Sequence, residues 1–389
     1  MTEILNIPYI VGDGAGEDIW AASHEALEES VIKAYGGEKR IKWVPLLAGQ
    51  KGLDQEGSLL SDRTIEEVKK HRVALKGPLT TPVGGGFRSI NVYLRQIFDL
   101  YVCMRPISHF KGLPSPLKTP EKVDFIIFRE NTEDLYKGIE WKEGTEEART
   151  FLKFLKETMK VELSDDTAIG VKPISRTGTR RFTKWVLEYA LLHKRRSVTV
   201  VHKGNIMKFT EGAFREWAYE VAGEFADRVT CSDEPGKLVF NDRIADNMFM
   251  QAILRPEDYD ILLCPNLNGD YLSDACAALI GGLGVAPGAN IGDNVAIFEP
   301  THGSAPKYTG KDLINPTSLL LSGAMMFDYM ALDKAASMLR RAIEETIRGG
   351  VMTYDLSRQT EGIKPAKCSY FGAEVTRRIG ERADTDSYL

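Results

Sequence analysis

Short apolar runs alternate with amphipathic helical stretches along most of the chain. Pro8–Val11 leads into a glycine turn, Gly12-Asp-Gly-Ala-Gly16, and then into a stretch carrying Ile19, Trp20, Leu27 and Val31. Val123–Phe128, Ser197–Val201 and Tyr259–Leu263 read as strands, because each is a short, mostly apolar run. Between them Phe182, Trp185, Val186 and Tyr189 follow i, i+3, i+4, i+7 spacing, and Phe214, Trp217, Ala218 and Val221 repeat it. Both segments are predicted to be helices with one buried face. Phe151, Phe154 and Leu155 mark another helix within a charged stretch, 140–166, that reads as peripheral to the main sheets. Residues 281–292 read as a loop-rich zone, and the C-terminal third from Thr317 through Arg348 as mainly helical. Strand–helix alternation of this kind predicts an α/β architecture with at least partly parallel sheets.

Composition adds exclusions rather than a function. The chain has 389 residues, which suggests two or three domains, and a formal net charge of -5. With a sequence pI near 5.8, neither a nucleic-acid duplex nor an anionic membrane is the expected partner. The five cysteines form no CxxC pair, so neither a structural zinc site nor a disulfide framework is predicted, and a reducing compartment is expected. The N-terminus lacks the basic flank and apolar run of a signal peptide, which predicts a soluble, cytoplasmic protein.

The glycine turn after the first strand invites a dinucleotide-binding reading and fails it. The third glycine of G-x-G-x-x-G would stand at 17, where the chain has Glu17, and a carboxylate there would repel a pyrophosphate. No acid ends a second strand about 20 residues on, as that fingerprint requires. A tight turn opening the domain is the better reading.

Chemistry concentrates elsewhere. In Thr80–Arg95, Gly84–Gly86 would let backbone amides approach a ligand. If a helix follows, Asn91 and Arg95 share a face with Ser89 a turn earlier, a set suited to a carboxylate or phosphate. A glycine turn capping a helix with a solvated arginine is the competing reading. Arg105 and Arg129 add cations, and Arg129 ends the Phe125–Phe128 strand, where open α/β sheets bind ligands. Tyr136 follows, and positive neighbours are expected to lower its pKa and fit it for general-acid work. Further on, Asp270 and Asp274 stand at i, i+4, an oxygen donor pair suited to Mg²⁺ or Mn²⁺, with Asp246 a third candidate. Two solvated helix acids are the alternative. Lys203 ends a strand in His202-Lys-Gly-Asn205, placed as a base would be. The loop His302–Tyr308 has the small residues and the lysine that a nucleotide phosphate needs.

Together these blocks resemble the isocitrate/isopropylmalate dehydrogenase family, and within it the decarboxylating, NADP-dependent isocitrate dehydrogenases of bacteria and archaea. The runs Lys76–Gly86, His202–Gly212 and Asn268–Asp274 carry the match, which extends over nearly the whole chain. The resemblance implies that Ser89, Asn91, Arg95, Arg105 and Arg129 bind isocitrate. Tyr136 matches the proton donor, and Lys203 its partner, contributed across a dimer interface. Asp270 and Asp274 match the metal-binding acids, with Asp246 reaching in from the second subunit. Thr80, His302, Gly303, Ser304, Ala305, Pro306, Lys307, Tyr308, Asn315, Tyr354 and Arg358 match cofactor contacts. Lys307, Tyr308, Tyr354 and Arg358 follow the NADP-type pattern, whereas NAD-type members tend to place an acid and an aliphatic at the first two positions.

The implied reaction is the tricarboxylic acid cycle step that oxidises the substrate's hydroxyl-bearing carbon, releases carbon dioxide and protonates the product to 2-oxoglutarate. The implied fold is not a Rossmann fold. It has a large domain (1–100 and 281–389), a small domain (101–133 and 176–280) and a clasp (134–175), in a homodimer with shared active sites. Sibling activities on homoisocitrate or 3-isopropylmalate are the nearest alternatives. Polar Ser89 and Asn91 disfavour an isopropyl group but leave homoisocitrate open. A non-catalytic regulatory subunit is disfavoured by the presence of Tyr136, Lys203, Asp270 and Asp274.

Overall fold

The structure, a computed structural model, describes residues 2–80, 89–232 and 234–383; the Gly84–Gly86 turn lies outside them. Among the described residues, eleven strands form one continuous sheet. One end is built from β1 (Glu3–Ile10), flanked in parallel by β2 (Lys39–Leu46) and β3 (Val73–Lys76). The other end runs in the order β5 (Asp124–Glu130), β11 (Ile261–Cys264), β8 (Ser197–His202), β10 (Leu238–Ile244) and β9 (Val229–Thr230), all parallel. A mixed seam joins them. There β13 (Ala296–Pro300) lies parallel to β3, β12 (Pro287–Ile291) runs antiparallel to β13 and to β4 (Val102–Ser108), and β4 is antiparallel to β5. A separate two-stranded ribbon pairs β6 (Glu140–Trp141) with β7 (Ile169–Gly170).

The alternating faces of these strands feed two cores. On the first half of the sheet, α1 (Gly16–Ala34), α10 (Thr317–Tyr329), α11 (Asp333–Arg348) and α13 (Cys368–Ala383) pack together, joined by the short α12 (Tyr354–Ser357). Ala74 and Ile297 turn instead toward a smaller core with Ile65 and Val68 of α3 (Asp62–His71) and Ile90 and Leu94 of α4 (Ile90–Ile97), beside α2 (Gln50–Glu56). The second half is covered by α6 (Arg176–Leu192), α7 (Glu211–Gly223), α8 (Ala245–Leu254) and α9 (Asn266–Ala277). Phe182 and Val186 of α6 and Phe214, Ala218 and Val221 of α7 are buried, as their spacing predicts. By contrast α5 (Glu146–Glu157) buries only Ala148 and stands apart with the ribbon.

Two sequence expectations need correction. Residues 281–292 are not mainly loop, since all five residues of β12 are buried within them. Pro-Gly-Ala-Asn-Ile has no alternation because both faces are covered, so periodicity could not reveal it. The first strand also begins at Glu3, not Pro8, because its polar half is held by pairing with β2 rather than by burial. All five cysteines are free thiols. No helix among the described residues is long and apolar enough to cross a membrane.

Candidate active site

Cross-strand register assembles the site. Arg129 on β5 stands opposite Cys103 on β4, which in turn stands opposite Asn290 on β12, while Gly288 faces Glu299 on β13. Directly paired residues share a face, and so do residues two apart on one strand. Arg105, Arg129, Cys103, Asn290 and Glu299 therefore crowd one side of the seam. Across from them α4 carries Asn91 and Arg95, with Ser89 at its N-cap position. Between these rows lies a cavity of about 160 Å³, lined by Lys76, Asn91, Arg95, Arg105, Glu299 and His302 among others.

Each arginine is fixed by a neighbour. Arg129, only 1% exposed, donates Nε–H to Asn266 Oδ1 at 2.8 Å and pairs through Nη1 with Asp270. Arg105 Nη1 reaches Ser273 Oγ at 2.6 Å and Asp274 Oδ1 at 3.0 Å. Arg95 approaches Glu299 at 3.8 Å. Burial, then the charge of Arg95, pulls the Arg129 pKa down. Desolvation and like charge favour the less charged form, so an anion brought beside Arg129 would be stabilised there. Among the described residues, Arg129 Nη2, Arg95 Nε, Asn91 Oδ1 and His302 Nε2 are buried polar atoms without a hydrogen-bond partner, all in or next to this region. Such atoms are rare unless a ligand or water meets them.

Tyr136, in the short turn after β5, stacks under Arg129, whose guanidinium lies 4.5 Å from the ring centre, and donates its hydroxyl to Asp270. The expected lowering of its pKa does not occur. Burial and the Asp270 carboxylate outweigh the arginines and push the phenol up to about 12, so it holds its proton at neutral pH.

Asp270 and Asp274 share a face of α9, as their spacing predicts. Burial, with Asp270 beside it, pushes the Asp274 carboxyl up against the pull of Arg105. A pair of carboxylates crowded in this way fits a hard divalent cation held by few protein ligands, with substrate and water completing the shell. Among the described residues no group of three or more His, Cys, Asp or Glu converges as a metal cage. Asp246 does not join the pair within this chain. It sits on α8, exposed, bonded to Lys203 Nζ at 2.6 Å. Neither residue touches Tyr136 or Asp270 in the hydrogen bonds and ion pairs of the described chain.

The cofactor-type residues form a neighbouring cluster. Thr80 Oγ1 and Ser304 Oγ lie 2.7 Å apart, and the Gly12–Gly16 turn buttresses both. Asp13 accepts from the Thr80 and Gln50 amides at 2.8 and 3.0 Å, and the Ala15 amide donates to the Ser304 carbonyl. A side chain at Gly14 would meet that carbonyl at 2.2 Å. This turn is thus a brace for the 302–308 loop. Tyr308 and Tyr354 stack, their ring centres 5.6 Å apart, with Arg358 over Tyr354, while Lys307 stays exposed. His302 and Gly303 border the arginine cavity, whereas Ala305 and Pro306 turn the loop into Lys307. Asn315 is buried and committed at both ends, to Asp355 and to the Thr317 amide.

Sequence reasoning missed Lys76, Glu299 and Asn290. Lys76 is 2% exposed and pairs with Glu299, which also accepts from Asn290 Nδ2 at 2.6 Å. A lysine closing the short apolar strand that begins Val73-Ala74-Leu75 was the available signal. Burial raises Glu299, but Lys76 and Arg95 more than offset this and hold it at about 2. A depressed carboxyl contributes stability above its unfolded pKa and loses it as pH falls toward the folded value. Acidification from about pH 4.5 to about pH 2 should therefore cost on the order of 3 kcal/mol at this site alone. Glu299→Gln should flatten the fall of unfolding free energy with pH across that window. An unchanged slope in denaturant titrations would remove Glu299 from the account.

Comparisons with known proteins place the chain in a family. The profile of the isocitrate/isopropylmalate dehydrogenase family matches residues 6–375. The chain belongs to that family. It is 52% identical over 369 residues to the NADP isocitrate dehydrogenase of Archaeoglobus fulgidus, covering 92% of this chain and 89% of that one. It is 49% identical over 359 residues to the Streptococcus mutans enzyme of the same name, covering 91% and 90%. Among solved structures, the isocitrate dehydrogenase of Methylococcus capsulatus superposes with a TM-score of 0.82 at 35% identity, covering 97% of this chain and 99% of the other.

Proposed function

We propose that the seam cavity binds isocitrate and that the chain catalyses its oxidative decarboxylation to 2-oxoglutarate and carbon dioxide with reduction of NADP. The observation that carries this reading is the convergence of Arg95 and Arg105 on one small polar cavity, with Arg129 next to them against Tyr136 and Asp270, and Asp274 on Arg105. When bound, NADP accepts the hydride and a divalent cation at Asp270 and Asp274 supplies Lewis-acid stabilisation of charge on the substrate oxygens.

The residues do the rest. Three guanidinium groups, fixed in advance by Asn266, Ser273 and Glu299, present fork-shaped donors to carboxylates and cost little reorganisation. Asn91, with Ser89 at the head of the same helix, adds polar contacts where an isopropyl group would find none that suit it. Tyr136 keeps its proton at neutral pH and releases it to the substrate carbon that carbon dioxide has left, with Lys203 assisting. Tyr308, Tyr354, Arg358 and Lys307 offer the hydroxyls and cations that a ribose 2′-phosphate requires, while Thr80, His302–Pro306 and Asn315 shape the remaining cofactor cleft.

The working enzyme in this reading is a cytoplasmic homodimer with shared sites. Asp246 is exposed and Lys203 partly so, and around them Ile206 is 70% and Phe209 91% exposed. Ile253 and Leu254 on α8 and Tyr271 on α9 extend that apolar surface. A buried subunit interface explains such a patch and carries Lys203 and Asp246 to a second site. In this reading the chain divides into a large domain (1–100 and 281–389), a small domain (101–133 and 176–280) and a clasp (134–175). The first two join at the β12–β4 pair, and the clasp holds α5 and the β6–β7 ribbon. Steady-state rates with isocitrate, homoisocitrate and 3-isopropylmalate, each with Mg²⁺ and with NADP or NAD, test the whole reading. The expected result is highest kcat/KM with isocitrate and NADP. Preference for NAD would overturn the cofactor assignment, and negligible isocitrate turnover the substrate.

A further inference from the structure

Two buried carboxylates and a partly buried lysine outside the substrate cavity tie together parts of the chain that lie far apart in sequence. Lys172 precedes α6 and lies between Asp134 and Glu211, with Nζ 2.5 Å from Asp134 Oδ1 and 3.0 Å from Glu211 Oε1. Asp134 is 1% exposed and Glu211 is fully buried, so neither carboxylate has solvent to fall back on. Each acid spends its second oxygen on a backbone or side-chain donor next to the chemistry. Asp134 Oδ2 accepts the Leu267 amide at 3.0 Å, in the first turn of α9, the helix that carries Asp270 and Asp274. Glu211 Oε2 accepts the Lys203 amide at 2.6 Å and the Asn268 side-chain amide at 2.8 Å. Asp134 is also two residues before Tyr136 and adopts a positive φ of 65°, a conformation that costs an aspartate energy and that surrounding contacts must sustain.

We propose that Lys172 is a positioning residue that sets three catalytic segments in one register: the Tyr136 turn, the head of α9 and the Lys203 turn. Among the described residues, one ammonium pairs directly with both the carboxylate that shapes the Tyr136 turn and the one that holds the Lys203 turn. Both carboxylates grip the same end of α9. Removing the ammonium leaves two buried like charges facing each other, which must separate, take up water or protonate. Any of these shifts the two turns relative to α9. The substrate arginines hang on β4, β5 and α4, and two of them bond to Asn266, Ser273 and Asp274 of α9 through contacts that Lys172 does not make, so isocitrate binding should change less than turnover.

This inference rests on the reading of Tyr136 and Lys203 as catalytic, and on Lys203 serving the second subunit's site. On that reading one triad reaches two active sites, its own through Tyr136 and its neighbour's through Lys203. In homodimers, Lys172→Met should lower kcat by roughly 10–100-fold, the scale expected for misplaced catalytic groups, with the KM for isocitrate changed less than about threefold. Lys172→Arg, which can still bridge both acids, should restore most of the rate. Equal losses in kcat and in substrate binding, or no loss, would overturn the proposal. If Lys172→Met does not fold, Asp134→Asn keeps a residue that tolerates positive φ and should show the same split at smaller amplitude.

Heterodimers isolated through two different tags give the sharper result. Pairing wild type with Tyr136→Phe should leave about half the activity, since one site of two is hit. Pairing wild type with Lys172→Met should leave well under half, because one lesion reaches both sites; half or more would overturn the coupling. A Tyr136→Phe/Lys203→Met heterodimer separates failure of the premise from failure of the inference. About half activity supports shared sites, and none shows that each subunit uses its own lysine.

Discussion

Tyr136→Phe should lower kcat by roughly 10²–10⁴-fold while leaving the KM for isocitrate within a few-fold of its starting value, the range typical of a lost general acid. The substitution removes one oxygen and little else. The ring stays stacked beneath Arg129, and the guanidinium keeps its bonds to Asn266 and Asp270. Asp270 loses a donor but remains partly exposed and paired with Arg129, so no isolated buried charge is created. Because the phenol is held near 12, wild-type activity should show no alkaline limb from this group at ordinary assay pH. Thermal unfolding of the variant should match wild type. A kcat within threefold of wild type would exclude Tyr136 as the proton donor.

Gly269→Ala should be nearly as damaging, by a different route. An added Cβ would lie 2.7 and 2.8 Å from Cβ and Cγ of Arg129, and 3.1 Å from Cβ of Cys264. Both neighbours belong to paired, buried strands and cannot swing aside. Either α9 lifts from β5 or the Arg129 stem tilts. Overpacking of this kind costs about 1–3 kcal/mol of stability. Displacing a buried guanidinium from a carboxylate forfeits a charge-assisted hydrogen bond worth about 1.5–3 kcal/mol, which is roughly a 10- to 100-fold rise in KM. Chemical denaturation and isocitrate titration read the two effects separately. A variant with wild-type KM would mean that Arg129 does not meet the substrate.

Much of this site was legible from spacing. Asn91 and Arg95 had to share a face once a helix followed Ser89, and Asp270 and Asp274 likewise. Arg129 stood out because strand ends of α/β sheets are where ligands gather. What spacing could not show depends on the third dimension. The isolation of Lys203 and Asp246 from Asp270 reflects a surface that a second chain is expected to complete. The acidity of Tyr136 was misjudged because cations are visible in sequence, whereas burial and a facing carboxylate are not. β12 escaped because a strand covered on both sides has no period, and with it went Asn290, which bonds the partner of Lys76 from the neighbouring strand.

The order of strands in the sheet also governs how the chain can be made. β3 has β1 on one side and β13 on the other, and β13 begins at residue 296. A growing chain therefore carries an unpaired, apolar edge strand from residue 76 until nearly three hundred residues have emerged. The strands from β4 to β11 lie within residues 102–264 and find their partners among themselves, apart from the outer edge of β4, which waits for β12. The middle of the chain can thus fold as a unit during synthesis, while its first hundred residues wait for its last hundred. That waiting edge is where a chaperone is most needed and where a truncated message would leave an aggregating product.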